Sequence, residues 1–397
     1  MKKISNTRLT FYENRNRRYM NLKYRLTKRM RHNRYRLKVI SLTDPVLMSM
    51  MEAPSRRRAK VKEVYRKKNY NNPPLSVQIH EDFGIEERVN AQRFLDLASQ
   101  FVDCNSKTIN FDLSKCTRMW PSAVTLLCSL KHWVEMKAKP GQTPHLRSTK
   151  SEHDNVNGYL DDCGFYDYVG RAKDHSKTQH NQGEMVKIEK ETEKSRIKSR
   201  RDQIRSLLTR FSSLSSDERE KFVDHVLVEV TNNVSEHGLG VHNTLGWWII
   251  AQYHPSHQFV SICIADNGIG FRNSLLSGAQ HKYIEDKYSS IIKDEGKAIK
   301  LAFEESVSGA LYAPVKEKKF MGDKYERGSR RGNGLKIIRE ACSELGIPLA
   351  VLSHHGYLFI DALGAYEKLG HSDKRIFAGT LYHFLIPAKG DQNDKEY

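Results

Sequence analysis

The chain has no apolar run long enough to cross a bilayer. Its longest, Trp247 to Ala251, falls far short of the ~20 residues a spanning helix needs. A secretory signal is excluded for a related reason, because residues 1–40 carry arginines where an apolar stretch should follow the basic start. That Arg-rich, acid-poor start keeps an organellar transit peptide open as an alternative. Cysteine is scarce and scattered. Cys104, Cys116, Cys128, Cys163, Cys263 and Cys342 form no CxxC pair, which argues against disulfides or structural zinc and for reduced core thiols in a cytoplasmic protein. No HExxH motif and no internal repeat occurs.

Acidic residues are scarce in one region only. Between Met1 and Tyr70 there are 22 Lys and Arg against 4 acids, whereas the rest of the chain carries 44 against 43. A nearly neutral body therefore bears a strongly cationic N-terminal arm, 1–74, ending at Pro73-Pro74. Leu22, Leu26 and Met30 recur among Arg25, Lys28, Arg29 and Arg31, the pattern of a cationic amphipathic helix, and Arg56, Arg57 and Arg58 form a second cluster. With tyrosines at 19, 24, 35, 65 and 70, the arm suits phosphate contacts and base stacking on RNA or DNA with little sequence preference. A membrane surface and an acidic protein partner are the rival readings. Few bulky apolar residues are there for insertion, so no membrane partner is expected.

The next part, 75–178, alternates strand and helix patterns: strands at 76–80 and 108–113, helices at 87–101, 122–136 and 155–163. That order predicts an α/β layer with a small sheet. Residues 179–200 are polar and charged and read as a linker leading into a helix. From 201 to 397 the sequence predicts a helix over 216–237 and strands at 246–253 and 260–265. A long polar region at 271–331, a helix from Gly334 and two closing strands, 349–353 and 380–386, complete the chain.

Chemistry concentrates in that last part. Glu229, Asn233 and His237 are spaced i, i+4, i+8 on one helix face. A carboxylate one turn from an amide suits a metal–nucleotide site, the amide joining a magnesium shell and the carboxylate accepting a proton. Asp266-Asn267-Gly268-Ile269-Gly270 follows an apolar strand, so a carboxylate stands where glycines let a flat ligand approach. Arg331-Gly332-Asn333-Gly334 opens a helix, a place where backbone N–H groups cradle phosphates. Gly379-Thr380 puts a hydroxyl at the start of the final strand.

In this order the four segments resemble the N, G1, G2 and terminal Gly-Thr boxes of the GHKL superfamily of ATPases and kinases, over about 201–387, half of the chain. The resemblance implies a C-terminal Bergerat-type α/β sandwich that binds ATP with Mg2+. It implies Glu229 as general base, Asn233 as magnesium ligand and Asp266 as reader of the adenine amine. Gly268 and Gly270 would lie on the adenine side with Thr380, and Gly332 and Gly334 on the phosphate side, with Arg331 and His237 also at the nucleotide. The Glu-x-x-x-Asn-x-x-x-His-Gly form is most similar to anti-sigma-factor serine kinases. The interval from 271 to 331 is long for those kinases and implies an insertion in the ATP lid; its basic end (Lys324, Arg327, Arg330 and Arg331) reads either as a γ-phosphate or nucleic-acid contact or as a solvated loop.

A second resemblance lies upstream. Asp112-Leu113-Ser114 followed by a helix from Ser122 is similar to the STAS domain of anti-sigma-factor antagonists, with Trp120-Pro121 where that family has Asp-Ser. It implies a docking or regulatory module for a protein partner, and Ser122 reads as a helix cap more readily than as a phospho-acceptor. The architecture is also similar to ATP-binding proteins of bacterial mobile and defence regions, and a homodimer is admitted because GHKL relatives often dimerise. Three functions stay open: an ATP phosphohydrolase whose arm recruits nucleic acid, a serine kinase of a partner switch, and a non-hydrolysing ATP-gated protein.

Overall fold

The computed structural model describes residues 75–86, 91–102, 108–137, 145–169, 183–191, 196–234, 247–268, 270–277, 281–304, 334–371 and 379–390. The arm, with Arg25, Lys28, Arg29, Arg31 and Arg56 to Arg58, lies outside them, as do His237, Arg331 and Gly332. The chain is mixed α/β, with a large antiparallel sheet in its C-terminal region.

The N-terminal described part contains β1 (Leu75–Gln78), β2 (Asp82–Phe83), α1 (Ala91–Val102), β3 (Thr108–Asp112), β4 (Arg118–Met119), α2 (Pro121–Lys137), β5 (His145–Ser148), α3 (Asp154–Asp162) and α4 (Phe165–Val169). β1, β3 and β5 form a three-stranded parallel sheet, and β2 pairs with β4 in a second, two-stranded one. Parallel neighbours need crossovers, which α1 and α2 supply.

The remaining strands are β6 (Met185–Glu191), β7 (Trp247–His254), β8 (Phe259–Asp266), β9 (Leu349–Ser353), β10 (Gly356–Ile360), β11 (Tyr366–His371) and β12 (Thr380–Pro387). They form one seven-stranded antiparallel sheet in the order β11-β10-β9-β12-β8-β7-β6. Its helices are α5 (Arg196–Phe211), α6 (Ser216–Lys221), α7 (Val228–Asn233), α8 (Gly270–Ser277), α9 (His281–Tyr288), α10 (Glu295–Glu304) and α11 (Gly334–Glu344). A π-helical turn, Phe222–Leu227, joins α6 to α7.

Alternation along the strands divides the side chains between two cores. Val260, Ile262 and Ile264 of β8 and Tyr382, Phe384 and Ile386 of β12 face Ile204, Leu208, Val226, Val230 and Ile338 of the helices. Cys263, Ala265, Trp248 and Leu381 face the other way, into one core with Ala123, Leu127, Ile109 and Phe111. The sheet is thus apolar on both faces: α5, the α6–α7 rod and α11 cover one, and α2 lies on β7 and β8 on the other. Pro121 to Leu130 of α2 are buried throughout, as a helix enclosed on all sides must be.

Two expectations need correction. Residues 185–191, expected in a linker, form edge strand β6 on β7, and α5 begins inside the same stretch at Arg196. Val186 and Ile188 are buried while Lys187 and Glu189 are exposed, a period-two pattern hidden by the charges that suit an edge strand. The expected polar region from 271 contains α8, α9 and α10, gathered around Leu275, Ile284, Ile292 and Leu301. Those residues are spaced too widely to read as one helical stripe.

Candidate nucleotide site

The helix carrying Glu229 and Asn233 starts from a capping box: Glu218 N–H donates to Ser215 Oγ (3.3 Å), and Ser215 N–H donates to Glu218 Oε2 (2.7 Å). Further along, buried positions recur every four residues, Phe222, Val226, Val230 and Val234 beside Val223, Leu227 and Thr231. A 3.6-residue helix would let that stripe drift around its surface, and the wider π turn holds it against the sheet. Glu229 and Asn233, both half-buried, emerge at the edge of this stripe.

α11 packs beside α7 and the π turn. Its first residue, Gly334, stands so close that a Cβ there would be 2.6 Å from Glu229 Oε2. A methyl at this position would push the Glu229 carboxylate aside, so glycine lets the carboxylate lie against the helix N-terminus and its partial positive charge.

Asp266 ends β8 on the helix-covered face and is buried. Its Oδ1 accepts a hydrogen bond from Gly268 N–H at 2.6 Å, and Thr380 N–H also donates to the carboxyl. Burial outweighs these bonds and pushes the Asp266 pKa up to about 7. Thr380 is the register partner of Asp266 across β8 and β12. Gly379, at φ +124°, has backbone so near the Asp266 carbonyl that a side chain would collide with it. Two residues along β12, Tyr382 points to the same face. Burial and the nearby Asp266 raise its phenol pKa, and the Asn233 amide beside it works in the opposite direction. The Asn233 amide nitrogen is nonetheless buried without a hydrogen bond of normal geometry. Gly270, at φ +71°, opens α8 against Ser353 and His354, where any side chain would clash.

Residues from four segments far apart in sequence therefore meet. Glu229 adjoins Gly334, Asn233 adjoins Tyr382, and Tyr382 and Thr380 flank Asp266 with Gly268. A half-buried carboxylate beside a helix N-terminus can take a proton from a nucleophile. A buried carboxyl among glycines can accept a hydrogen bond from a flat amine donor. Tyr382 was not singled out in the sequence, although the strand period places it on the face of Thr380. Ser122 is fully buried, its Oγ donating to Glu86 Oε2 at 2.5 Å and its N–H donating to Glu86 Oε1 at 3.0 Å. It lies inside α2 and does not cap it, because the Glu86 carboxylate takes the free N–H at the helix start, and its burial closes it to a kinase in this arrangement.

Five of the six cysteines, all but Cys104, are described, and all five are free and buried. Among the described residues no helix is long and apolar enough to cross a membrane. Comparison with protein-family models, with curated proteins and with solved structures finds no match to the chain.

Proposed function

We propose that this protein is a Mg-ATP-dependent phosphohydrolase of GHKL type with a Bergerat-like nucleotide pocket, carrying a STAS-like module and a nucleic-acid-binding arm. The observation that supports this best is the meeting of motifs that the sequence separates. The Glu229–Asn233 helix, the Asp266–Gly268 turn, the Gly334 helix start and the Gly379–Thr380 strand start close on one another on one face of the sheet. Asp266 is the carboxyl at this meeting point, buried at the cost of its charge where Gly379 packs against its backbone.

In this reading Asp266 accepts a hydrogen bond from the adenine amine, and Thr380 lies beside it. The N-terminus of α11 receives phosphate oxygens. Asn233, one turn from Glu229 with its amide N–H toward Tyr382, would offer its amide oxygen to magnesium, which when bound would offset phosphate charge. One protein ligand suffices for an ion that keeps water and substrate phosphate around it. Glu229, which lies at the N-terminus of α11, takes the proton from the attacking water.

The kinase reading keeps the same pocket and changes the acceptor to a hydroxyl of a partner protein. Ser122 of the same chain is a poor acceptor, since it is buried on the sheet face opposite Asp266. The deciding test is phosphate release from Mg-ATP by the full chain and by Glu229→Ala. A drop on the order of 10²–10⁴-fold is expected for loss of a general base, with nucleotide affinity retained. Equal turnover by the variant would remove the assigned base.

A further inference from the structure

The turn that carries Asp266 is held from behind. Asn267 is fully buried on the far side of the sheet, and residue 129 of α2 satisfies its amide at both ends. Ser129 Oγ donates to Asn267 Oδ1 at 2.5 Å, and Asn267 Nδ2 donates to the Ser129 carbonyl at 3.1 Å. The pair is 138 residues apart in sequence. Asn267 lies between Asp266 and Gly268, and Gly268 N–H is the group bonded to the Asp266 carboxyl. Fixing the Asn267 side chain therefore fixes the turn that aims the carboxyl.

A second tie lies two helical turns away on the same face of α2. Ser122 bonds Glu86, whose Oε1 is 3.4 Å from Nε2 of His383 on β12. His383 in turn shares a hydrogen bond with Ser261 of β8 at 2.9 Å. Between the two ties, Thr125 bonds Cys263 of β8, and beyond them His132 meets the Trp248 ring edge-on at 5.5 Å. The helix is thus joined by polar bonds to β8 and β12, the strands whose opposite face carries Asp266, Thr380 and Tyr382.

We propose that Ser129 and Asn267 are positioning residues for the nucleotide turn, so that seating of α2 at Ser129 in particular, and not its general tightness on the sheet, is coupled to occupancy of the nucleotide pocket. This rests on the nucleotide reading above. Without the Ser129 hydroxyl, Asn267 keeps only the backbone bond, and a buried amide with half its partners gone lets the 266–268 turn shift. Coupling of this kind is reciprocal: nucleotide must tighten α2 by as much as α2 tightens nucleotide.

The test uses the full chain and Mg-ATP. Calorimetric titration is run on wild type, Ser129→Ala and Ser122→Ala, with thermal melts and hydrogen exchange of α2 with and without Mg-ATP. We expect Ser129→Ala to bind roughly tenfold more weakly, a change of 1.4 kcal/mol. Ser122→Ala is expected to lower the melting temperature at unchanged affinity, and Mg-ATP to slow exchange of the α2 amides in wild type. Equal affinity of Ser129→Ala and wild type overturns the coupling and leaves the nucleotide reading standing. Equal weakening by both variants overturns it as well, by showing general loosening of α2. If Ser129→Ala does not fold, exchange in wild type decides: α2 amides indifferent to Mg-ATP overturn the proposal, and slowed amides support it. A wild type that binds no Mg-ATP overturns both this proposal and the reading beneath it.

Discussion

Asp266 carries a charge conflict that shows in pH dependence. Its folded pKa of about 7 lies well above its ordinary value. The folded chain therefore holds the proton over a range in which the unfolded chain has lost it. The stability it contributes is full below the ordinary carboxylate range and is lost as pH rises toward about 7. Asp266→Asn does not titrate, so we expect its stability to gain on wild type across that window in denaturant titrations at stepped pH. A constant difference would show that Asp266 ionises as freely in the fold as outside it. Gly334 is the second test at this scale. Gly334→Ala favours the helix by propensity yet forces a methyl against Glu229. The expected result is a protein that melts no lower and turns over ATP about a hundredfold more slowly, because the displaced carboxylate no longer meets its water. Unchanged turnover in that variant would mean that the approach has no catalytic use. Much of this was legible in the residues: spacing alone put Glu229 and Asn233 on one face, and a carboxylate followed by glycines marked Asp266. Thr380 came from its place at a strand start. The Ser129–Asn267 and Glu86–His383 bonds were not legible, because each joins residues that only the docking of α2 brings together.

Among the elements, α2 is the one that joins the small parallel sheet and one face of the large sheet in a single core. It is buried on the small-sheet side and the large-sheet side alike, and Leu127 is fully enclosed. Leu127→Ala should cost about 2–5 kcal/mol in chemical denaturation. Because the same core holds Trp248 and Ala265 of the large sheet, loss of tryptophan fluorescence and loss of helix should coincide. Separate transitions would mean that the two parts fold as independent bodies. The sequence marked α2 and half of the described strands (β1, β3, β7, β8, β9 and β12) within a residue or two, since their apolar patterns are dense. It missed β6, where charges mask the alternation, and it read the closing region as two strands where four form. β10 and β11 were passed over because Gly356, Gly364 and Gly370 look like loop residues. Yet Gly356 and Gly370 each give a neighbour room, to α10 and to Tyr357, and Gly364 takes the positive φ of a turn. The π turn was also hidden, as a four-residue repeat is close enough to a helical one to pass for it.

At the scale of the whole molecule, the large sheet separates two groups of residues: one face gathers Glu229, Asn233, Asp266 and Thr380, and the other bears α2 and the small parallel sheet. The cationic arm precedes both in the sequence and carries 22 Lys and Arg against 4 acids between Met1 and Tyr70. Removing residues 1–74 should leave the melting transition unchanged while abolishing binding to single-stranded RNA and DNA. In the intact chain that binding should fall steeply with added salt, as counterion release demands. Fluorescence anisotropy measures both, and affinity retained by the truncated chain would move the nucleic-acid site onto the body. The central claim, however, is the nucleotide pocket, and calorimetric titration of the full-length chain with Mg-ATP tests it most directly. The account predicts saturable binding of one nucleotide per chain, lost in Asp266→Ala. No binding by wild type, or equal binding by Asp266→Ala, would contradict it.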